Sequence, residues 1–477
     1  MTTATRLVTR PRQRPRQTSV RQRLASAGGY IIVFLIGFTG QFTVFFIGAF
    51  PIGEIILVPL LPFLIALYWR KIIKRDMIPV FGLMALWLFG QVATDIIRKT
   101  PTLDAMRGFA AITFFAIDLA GVAALLRGND RHKVVFFIGN GLGSISFVMT
   151  QPSHDFWKFG IGYGTMMIAV IVSCYFYRRR RHMITGAIFV AIVMANLLFN
   201  YRSPILFALV VMALTLPIVP EQILRFRVLP RSGSFARIAV LAATAVVAAL
   251  VAQRLVSWAT AKGLAGEEAQ AKNLQQEESK HGILLGGRPE ILVSSRAVIE
   301  SPIIGHGSWA KDAKYAEMLY DIQVENGIEQ SFEDVWGTEL GLIPAHSHLM
   351  GSWVWAGILG AVFWVYILVL VVKGIVVVAN QHPPLAPLYG WLLVGYVWAI
   401  PFSPFGSIVR LYEAGILVIL LDLLERQVPL TPRVQWSRRA QWQSFRNGGR
   451  IPLSHSPLPK SRRFGAWKTR PRFGQGF

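Results

Sequence analysis

Two side chains in one long polar segment could carry out acid–base and anion chemistry. The segment spans residues 259–345 between apolar stretches; Arg288 lies within it and His346 follows its end. A histidine titrates near neutral pH, so it can accept a proton from a hydroxyl group. A guanidinium group stays charged and binds phosphate or carboxylate oxygens through paired hydrogen bonds. Because long ordered connections are usually functional, we expect the working site to include this segment.

A metal site is a weaker interpretation of the same residues. His346 and His348 could supply two ligands, but a stable site needs further ligands, and no third residue has a convincing spacing. The single cysteine, Cys174, lies within an apolar stretch and provides no thiolate cluster. We therefore expect no metal ion and no other cofactor.

The elements that must position these side chains are membrane-spanning helices. Hydrophobic residues make up 53% of the chain and charged residues 16%. Apolar runs of helix-spanning length recur, and a bilayer leaves no partners for free backbone groups, which favours an all-α polytopic protein. We predict twelve spans, over residues 30–50, 52–69, 77–94, 109–126, 134–150, 160–177, 183–199, 203–219, 238–258, 348–372, 385–400 and 405–424.

The distribution of charge predicts the orientation. Residues 1–29 and 425–477 are basic tails, and 35 of the 49 Lys and Arg residues lie in these tails and in the loops on the same side. The positive-inside rule places that side in the cytoplasm and the 259–345 loop outside. Spans one to nine then occupy residues 30–258, and the last three occupy 346–424.

The net charge of +24 does not indicate nucleic-acid binding. The basic N-terminal tail lacks the interleaved aromatic residues that single-stranded nucleic acid requires, so anionic membrane lipids are the expected partner of the tails. The glycines at 139–144 and 160–164 lie at span ends without a preceding strand. They therefore predict close helix packing rather than nucleotide binding.

Local signals divide the loop into short elements. Pro289 and Glu290 predict the start of a helix that ends before Ser301. A turn at residues 305–307 follows, and residues 309–324 are expected to form a helix on the membrane surface. Its apolar stripe consists of Trp309, Tyr315, Leu319 and Ile322. Residues 264–281 favour a solvated helix.

Three sequence elements carry a resemblance to a known family. They are Arg288, the Pro302-x-x-Gly305-x-Gly307 turn, and His346-Ser347-His348-Leu349 leading to a Gly357–Gly360 turn. Together they resemble the signature region of the O-antigen ligase and O-antigen/exopolysaccharide polymerase superfamily. Arg202, in front of the eighth span, corresponds to a second family arginine. Ser347 and His348 depart from the usual His-Asn-x-Tyr-Leu element, and Tyr201 stands where a serine is more usual.

The resemblance implies a GT-C-like glycosyltransferase of the bacterial inner membrane, with both termini cytoplasmic. Its donor would be an undecaprenyl-diphosphate-linked glycan and its acceptor a glycan or lipid-core hydroxyl, with other polysaccharide-assembly proteins as further partners. Arg202 and Arg288 would bind the diphosphate without a metal, and His346 would be the base. Ligase and polymerase are not separated by the sequence.

Other interpretations remain open for these residues and for the whole chain. Arg202 could anchor at the interface, Arg288 could pair with a loop carboxylate, and His346 could be an ordinary polar residue. His348 is expected in a supporting role, and His306 is a weaker candidate for an acceptor contact. Arg410 and Glu413 could pair with each other or line the acceptor or lipid pathway. A transporter or flippase is the alternative function, although no paired half-sequences are evident; a structural scaffold would leave the Arg and His pattern unexplained.

Overall fold

The computed structural model describes residues 20–45, 48–150, 156–216, 234–264, 266, 270, 288–325 and 341–426. Most of both predicted tails and most of the 264–281 segment lie outside these residues. The chain divides into two compact units, residues 1–427 and 428–477, and the structure described here belongs to the first.

The described part of the chain is almost entirely helical, as an all-α polytopic membrane protein requires. One short antiparallel hairpin pairs β1 (Thr43–Phe45) with β2 (Ala49–Pro51). The helices, in chain order, are α1 (Val20–Thr39), α2 (Ile52–Ile72), α3 (Met77–Arg98), α4 (Thr102–Leu126), α5 (Asp130–Thr150), α6 (Phe156–Phe159), α7 (Ile161–Arg178), α8 (His182–Leu198), α9 (Arg202–Thr215), α10 (Ser234–Ala261), α11 (Glu290–Glu300), α12 (Ala313–Glu325), α13 (His348–Ala356), α14 (Ile358–Gln381), α15 (Ala386–Phe402) and α16 (Ser407–Glu425).

Seven helical stretches among the described residues are long and apolar enough to cross a membrane. They lie in α2, α3, α4, α5, α6 with α7, α10 and α14. Four shorter apolar helical stretches lie in α1, α8, α9 and α15. Large apolar side chains remain exposed on several of them, such as Phe63 on α2 and Phe89 on α3. Exposed apolar surface of this kind is suited to contact with lipid rather than water.

Two predicted spans are organised differently from the expectation. Helix α1 ends at Thr39, so the second half of the predicted 30–50 span forms the hairpin. The predicted 348–372 span is two helices, α13 and α14, separated at Gly357. Gly357 has a φ of +64°, and a Cβ atom there would lie 1.9 Å from the Ile303 carbonyl oxygen. The break therefore lets the chain touch the turn that follows α11, a long-range requirement that local hydropathy does not reveal.

The predicted role of the glycines in helix packing is confirmed. A Cβ atom on Gly139 would lie 2.4 Å from the Phe34 carbonyl oxygen, and one on Gly143 would lie 2.2 Å from that of Phe38. A Cβ atom on Gly164 would lie 2.2 Å from the Gly141 carbonyl oxygen. Helices α1, α5 and α7 thus approach each other more closely than any larger side chain would permit.

Ion pairs join the connections between helices at one end of the bundle. The buried Lys133 Nζ lies 2.7 Å from Asp422 Oδ2, and Arg127 contacts both Asp76 and Asp422. These residues come from the α2–α3 loop, the α4–α5 connection, the start of α5 and the end of α16. The 301–309 turn, by contrast, docks on the opposite end of α3, where the candidate site lies.

Candidate functional site at the loop end of the bundle

Helix α11 positions Arg288. Pro289 is the N-cap of α11, and Glu290 lies in its first turn, where a carboxylate interacts favourably with the positive end of the helix dipole. The helix ends at Glu300, which confirms the predicted stop before Ser301. Arg288 itself is half-buried, immediately before the helix.

The turn after α11 is fixed to the end of α3 by hydrogen bonds from Arg98 and to Asp95. Arg98 donates from Nε to the Gly305 carbonyl oxygen at 2.9 Å and from Nη2 to Ser301 Oγ at 2.7 Å. The carboxylate of Asp95 accepts two hydrogen bonds from Ser308, from its backbone N–H and its hydroxyl, both at 2.7 Å. Gly305 has a φ of +83°, and a Cβ atom there would lie 2.6 Å from Gly357 N. Residues 301–309, which include the Pro-x-x-Gly-x-Gly motif, therefore dock the loop on α3, and we call them the docking turn.

The loop helices have a small core of their own. Tyr315 and Leu319 of α12 are buried against Val293 and Ala297 of α11 and against Val354 of α13. The prediction that this stripe lies on the membrane surface is therefore wrong: its side chains pack inside the loop. Trp309, predicted as the first member of the stripe, lies before α12 and stacks on Trp355 with ring centroids 4.6 Å apart.

His346 stands two residues before α13, and hydrogen bonds of Ser347 fix its backbone. Ser347 is the N-cap: its hydroxyl accepts a hydrogen bond from Met350 N and donates one to the Ile400 carbonyl oxygen, both at 3.0 Å. A serine hydroxyl thus joins the start of α13 to α15 at the position where the family pattern has asparagine. The segment before α13 is held by a hydrogen bond from Ile343 N to the Ala310 carbonyl oxygen.

The environment of His346 favours the neutral imidazole. Partial burial lowers its pKa below 6.5; the charges of Arg288 and Lys158 lower the pKa further, and the charge of Glu290 raises it. A neutral ring can accept a proton at neutral pH. The side chains of His346, Arg288 and Glu290 therefore lie close enough to interact electrostatically, although 58 positions separate His346 from Arg288.

The positive charge of Arg288 also acts on the residue before α9. Burial raises the pKa of Tyr201, and the positive charge of Arg288 opposes that shift. The next residue, Arg202, begins α9 and donates from Nε to Asn200 Oδ1 at 3.3 Å. The charge of Arg288 thus acts on both Tyr201 and His346. Arg202, the second arginine predicted for the site, directly follows Tyr201 in the chain.

Glu290 and Lys158 are the residues that motif reasoning missed at this site. One carboxylate oxygen of Glu290, Oε2, is buried and has no hydrogen-bond partner among the described residues. A buried acceptor in this state is unusual, and a hydroxyl donor would satisfy it. Glu290 is recognisable from the sequence as a helix-start acid, but nothing in the sequence near Lys158 indicates its relation to His346.

The side chains of His348 and His306 both bond to neighbouring parts of the fold. The buried His348 ring contacts the Ser403 carbonyl oxygen through Nδ1 at 2.6 Å and Glu413 Oε1 through Nε2 at 2.5 Å. These two contacts hold the start of α13 against the end of α15 and against α16. His306 bonds through Nε2 to the Ala297 carbonyl oxygen at 2.9 Å, within the docking turn.

Arg410 and Glu413 do not pair with each other. Arg410 donates from Nε and Nη2 to the two carboxylate oxygens of Glu54, at 2.9 and 2.7 Å, while Glu413 holds His348. Asp118 is also fully buried and lies within reach of the charges of Glu54 and Arg410. The i,i+3 spacing of Arg410 and Glu413 suggested that these two residues pair. The packing of α2 against the bundle instead brings Glu54 to Arg410.

Within the described residues, no group of three or more His, Cys, Asp or Glu side chains is arranged to hold a metal ion. No known family model matches the chain, and no curated protein is significantly similar to it in sequence.

Proposed function

We propose that the protein is a membrane glycosyltransferase that moves a glycan from an undecaprenyl-diphosphate donor to an acceptor sugar hydroxyl. The reaction takes place on the outer face of the bacterial inner membrane, as in an O-antigen ligase or an O-antigen/exopolysaccharide polymerase. The observation that carries the proposal is the effect of the Arg288 charge on His346. That charge lowers the pKa of His346, so a histidine that favours the neutral form and a permanent cation act on the same region from distant parts of the chain.

The two groups suit the two ends of a displacement reaction. His346 accepts the proton of the acceptor hydroxyl as the acceptor oxygen bonds to the anomeric carbon of the donor. The bond from that carbon to the phosphate oxygen breaks, and its electron pair leaves with undecaprenyl diphosphate. Arg288 and Arg202 stabilise the negative charge that develops there. The displacement inverts the configuration of the anomeric carbon.

Glu290 contributes to the same proposal. Its buried Oε2 can accept a hydrogen bond from a sugar hydroxyl, which would orient the acceptor beside His346. Its negative charge also raises the pKa of His346 and so opposes the lowering caused by burial and by the neighbouring cations. His346 is therefore a stronger base than it would be without Glu290. Both effects favour proton removal from a neutral alcohol.

The helices support a proposed topology of twelve spans. The four shorter apolar helices and α16, added to the seven long stretches, give twelve spans of a GT-C-like arrangement. Lys71, Arg127 and Lys133 then lie on the cytoplasmic side with both termini, in agreement with the positive-inside rule. Arg288 and His346 lie at the outer end, where a lipid-linked donor presents its diphosphate.

The test uses purified protein in lipid nanodiscs with an undecaprenyl-diphosphate-linked oligosaccharide and candidate acceptors. Release of undecaprenyl diphosphate is measured for the wild type, for His346→Gln and Arg288→Gln, and for a matched control, His132→Gln. His132 lies at the opposite end of the bundle, where its Nδ1 contacts the Leu125 carbonyl oxygen. We expect each site variant to lose about 100-fold or more in rate and the control to retain activity.

The outcomes separate the parts of the proposal. Equal release by the wild type and His346→Gln would remove His346 from the mechanism. Absence of release with any donor, in folded protein, would contradict the transferase proposal and favour transport. When release occurs, the identity of the glycosylated product distinguishes a ligase from a polymerase.

A further inference from the structure

A second feature of the loop end is a large cleft on the other side of the docking turn. Its volume is about 990 Å³, and it lies between the end of α3, the start of α4, the β-hairpin and the start of α16. Trp309 of the loop also contributes to its wall. Its volume lies at the upper end of the range typical of small-molecule sites.

Four sources of positive potential face this cleft. Lys99 is exposed and forms no ion pair with a described residue; among the described residues, Arg107 pairs with the buried Asp104, at 3.2 Å. Helices α4 and α16 also begin at the cleft, and their N-caps, Pro101 and Gly406, provide no side-chain cap. Free N–H groups at helix starts attract anions and here reinforce the two cations.

The acidic groups nearby are already used by other partners. Asp95 lines the cleft, but its carboxylate accepts two hydrogen bonds from Ser308. Glu54 neutralises Arg410 through two hydrogen bonds. Lys99 therefore gives the cleft a cation without a described counter-charge, and Arg107, beside Asp104, gives it a second cation for an anionic group.

The remaining walls are apolar and exposed. Phe45 and Ile96 are 78% and 72% exposed, and Met106 and Phe109 are about half exposed. Cations beside exposed apolar side chains at the end of a membrane bundle fit a ligand with a charged head and a hydrocarbon tail. A free inorganic anion would leave the apolar surface uncovered.

The cleft is adjacent to the peptide that carries His346. A chamber of about 50 Å³ shares Ala111 and Phe405 with the cleft, and Ala345 and Ser347, the two neighbours of His346, also line it. We propose that this cleft is the acceptor site and binds the phosphate-bearing head group of a lipid-anchored glycan through Lys99 and Arg107. This assignment rests on the transferase function proposed above, with Arg288 holding the donor on the other side of His346.

Binding can be tested without the transfer reaction. The single native cysteine, Cys174, is buried, so an introduced Met106→Cys is the accessible thiol. The rate of its labelling by a methanethiosulfonate reagent is measured in zwitterionic nanodiscs with dioctanoyl phosphatidate, dioctanoyl phosphatidylcholine or inorganic phosphate as the probe. A Met183→Cys variant, at a side chain that is 90% exposed on α8, is the matched control.

We expect phosphatidate to slow labelling at position 106 by about tenfold, with no effect of the other two probes and none at position 183. The double variant Lys99→Gln/Arg107→Gln should abolish this protection, because two charge-assisted contacts to phosphate are lost. Equal protection by inorganic phosphate would overturn the lipid assignment. Absence of protection by phosphatidate would overturn the site.

A kinetic measurement separates this proposal from the function on which it rests. In the transfer assay, Lys99→Gln and Arg107→Gln should each raise the KM for the acceptor about tenfold and leave the KM for the donor unchanged; Lys311→Gln on the loop is the control. Protection of the cleft without any transfer would mean that the cleft binds lipid and the transferase proposal is wrong. Transfer with an unchanged acceptor KM would mean that the acceptor binds elsewhere.

Discussion

Replacing Arg410 should destabilise the protein more than replacing Glu54, its partner in a buried ion pair. Replacing Arg410 by Met leaves Glu54 and Asp118 buried with no cation, whereas replacing Glu54 by Gln leaves Arg410 with Asp118 as its counter-charge. Breaking a buried ion pair costs about 3–5 kcal/mol when a charge is stranded. We expect that cost for Arg410→Met and about 1–2 kcal/mol for Glu54→Gln, in which a charged partner remains.

The difference is measurable as a melting temperature. An unfolding entropy of about 2.1 cal/mol/K per residue gives roughly 1 kcal/mol/K for a chain of this length, so Arg410→Met should lower Tm by about 3–5 °C. Glu54→Gln should lower Tm by about 1–2 °C. Thermal unfolding in detergent, followed by size-exclusion chromatography, measures both. The triple variant Glu54→Gln/Asp118→Asn/Arg410→Met should recover most of the loss, because no charge remains buried. An equal or larger loss for Glu54→Gln would refute the reasoning about Asp118.

Three further predictions concern the loop and its histidine. The acid limb of the pH profile of kcat/KM should lie below pH 6.5, because activity falls as His346 gains a proton; Glu290→Gln should move that limb to lower pH and Lys158→Gln to higher pH. A limb that moves in neither variant would contradict the role of His346 as the titrating base. Gly305→Ala should cost about 1–2 kcal/mol in backbone strain at its φ of +83° and speed hydrogen exchange in the docking turn; unchanged exchange would contradict the tight approach. The pKa of Glu300 is lowered from 4.5 to about 2 by hydrogen bonds from a lysine and a tyrosine on α12, so the contact between α11 and α12 should be intact above pH 4.5 and weaken towards pH 2. Cross-linking between the two helices across that range measures this, and an unchanged yield would exclude Glu300 as a clamp.

Most of the bundle could be predicted from the sequence because a bilayer imposes strong local rules. An apolar run of sufficient length must be helical, and its ends are marked by charge, so the predicted spans differ from the helices mainly at their termini. The two larger differences have a common cause. The hairpin after Thr39 and the break at Gly357 are both in apolar sequence, and each depends on what the chain meets in space rather than on composition.

The site was less accessible to sequence reasoning because its contacts are long-range. Pro289 and Glu290 indicated the start of α11 correctly, since capping signals are local. The partners of Arg410 and Glu413 come from α2 and α13, and spacing along one helix cannot reveal them. Glu54, an acid within an apolar run, could have been singled out by the cost of burying its charge, although its partner could not.

The geometry of α11 predicts that a turn without catalytic groups affects the proposed transfer reaction. Arg288 lies before the start of this helix and the Gly305 turn follows its end, so about 16 Å of rigid helix separates them at 1.5 Å per residue. A tilt of about 5° at the turn would move Arg288 by roughly 1.4 Å, and a misplacement of about 1 Å can cost on the order of 100-fold in rate. The glycines and the Arg98 and Asp95 hydrogen bonds that fix this turn to α3 therefore determine the position of the guanidinium group. Substitutions in the turn should accordingly lower kcat for transfer even though they touch neither substrate.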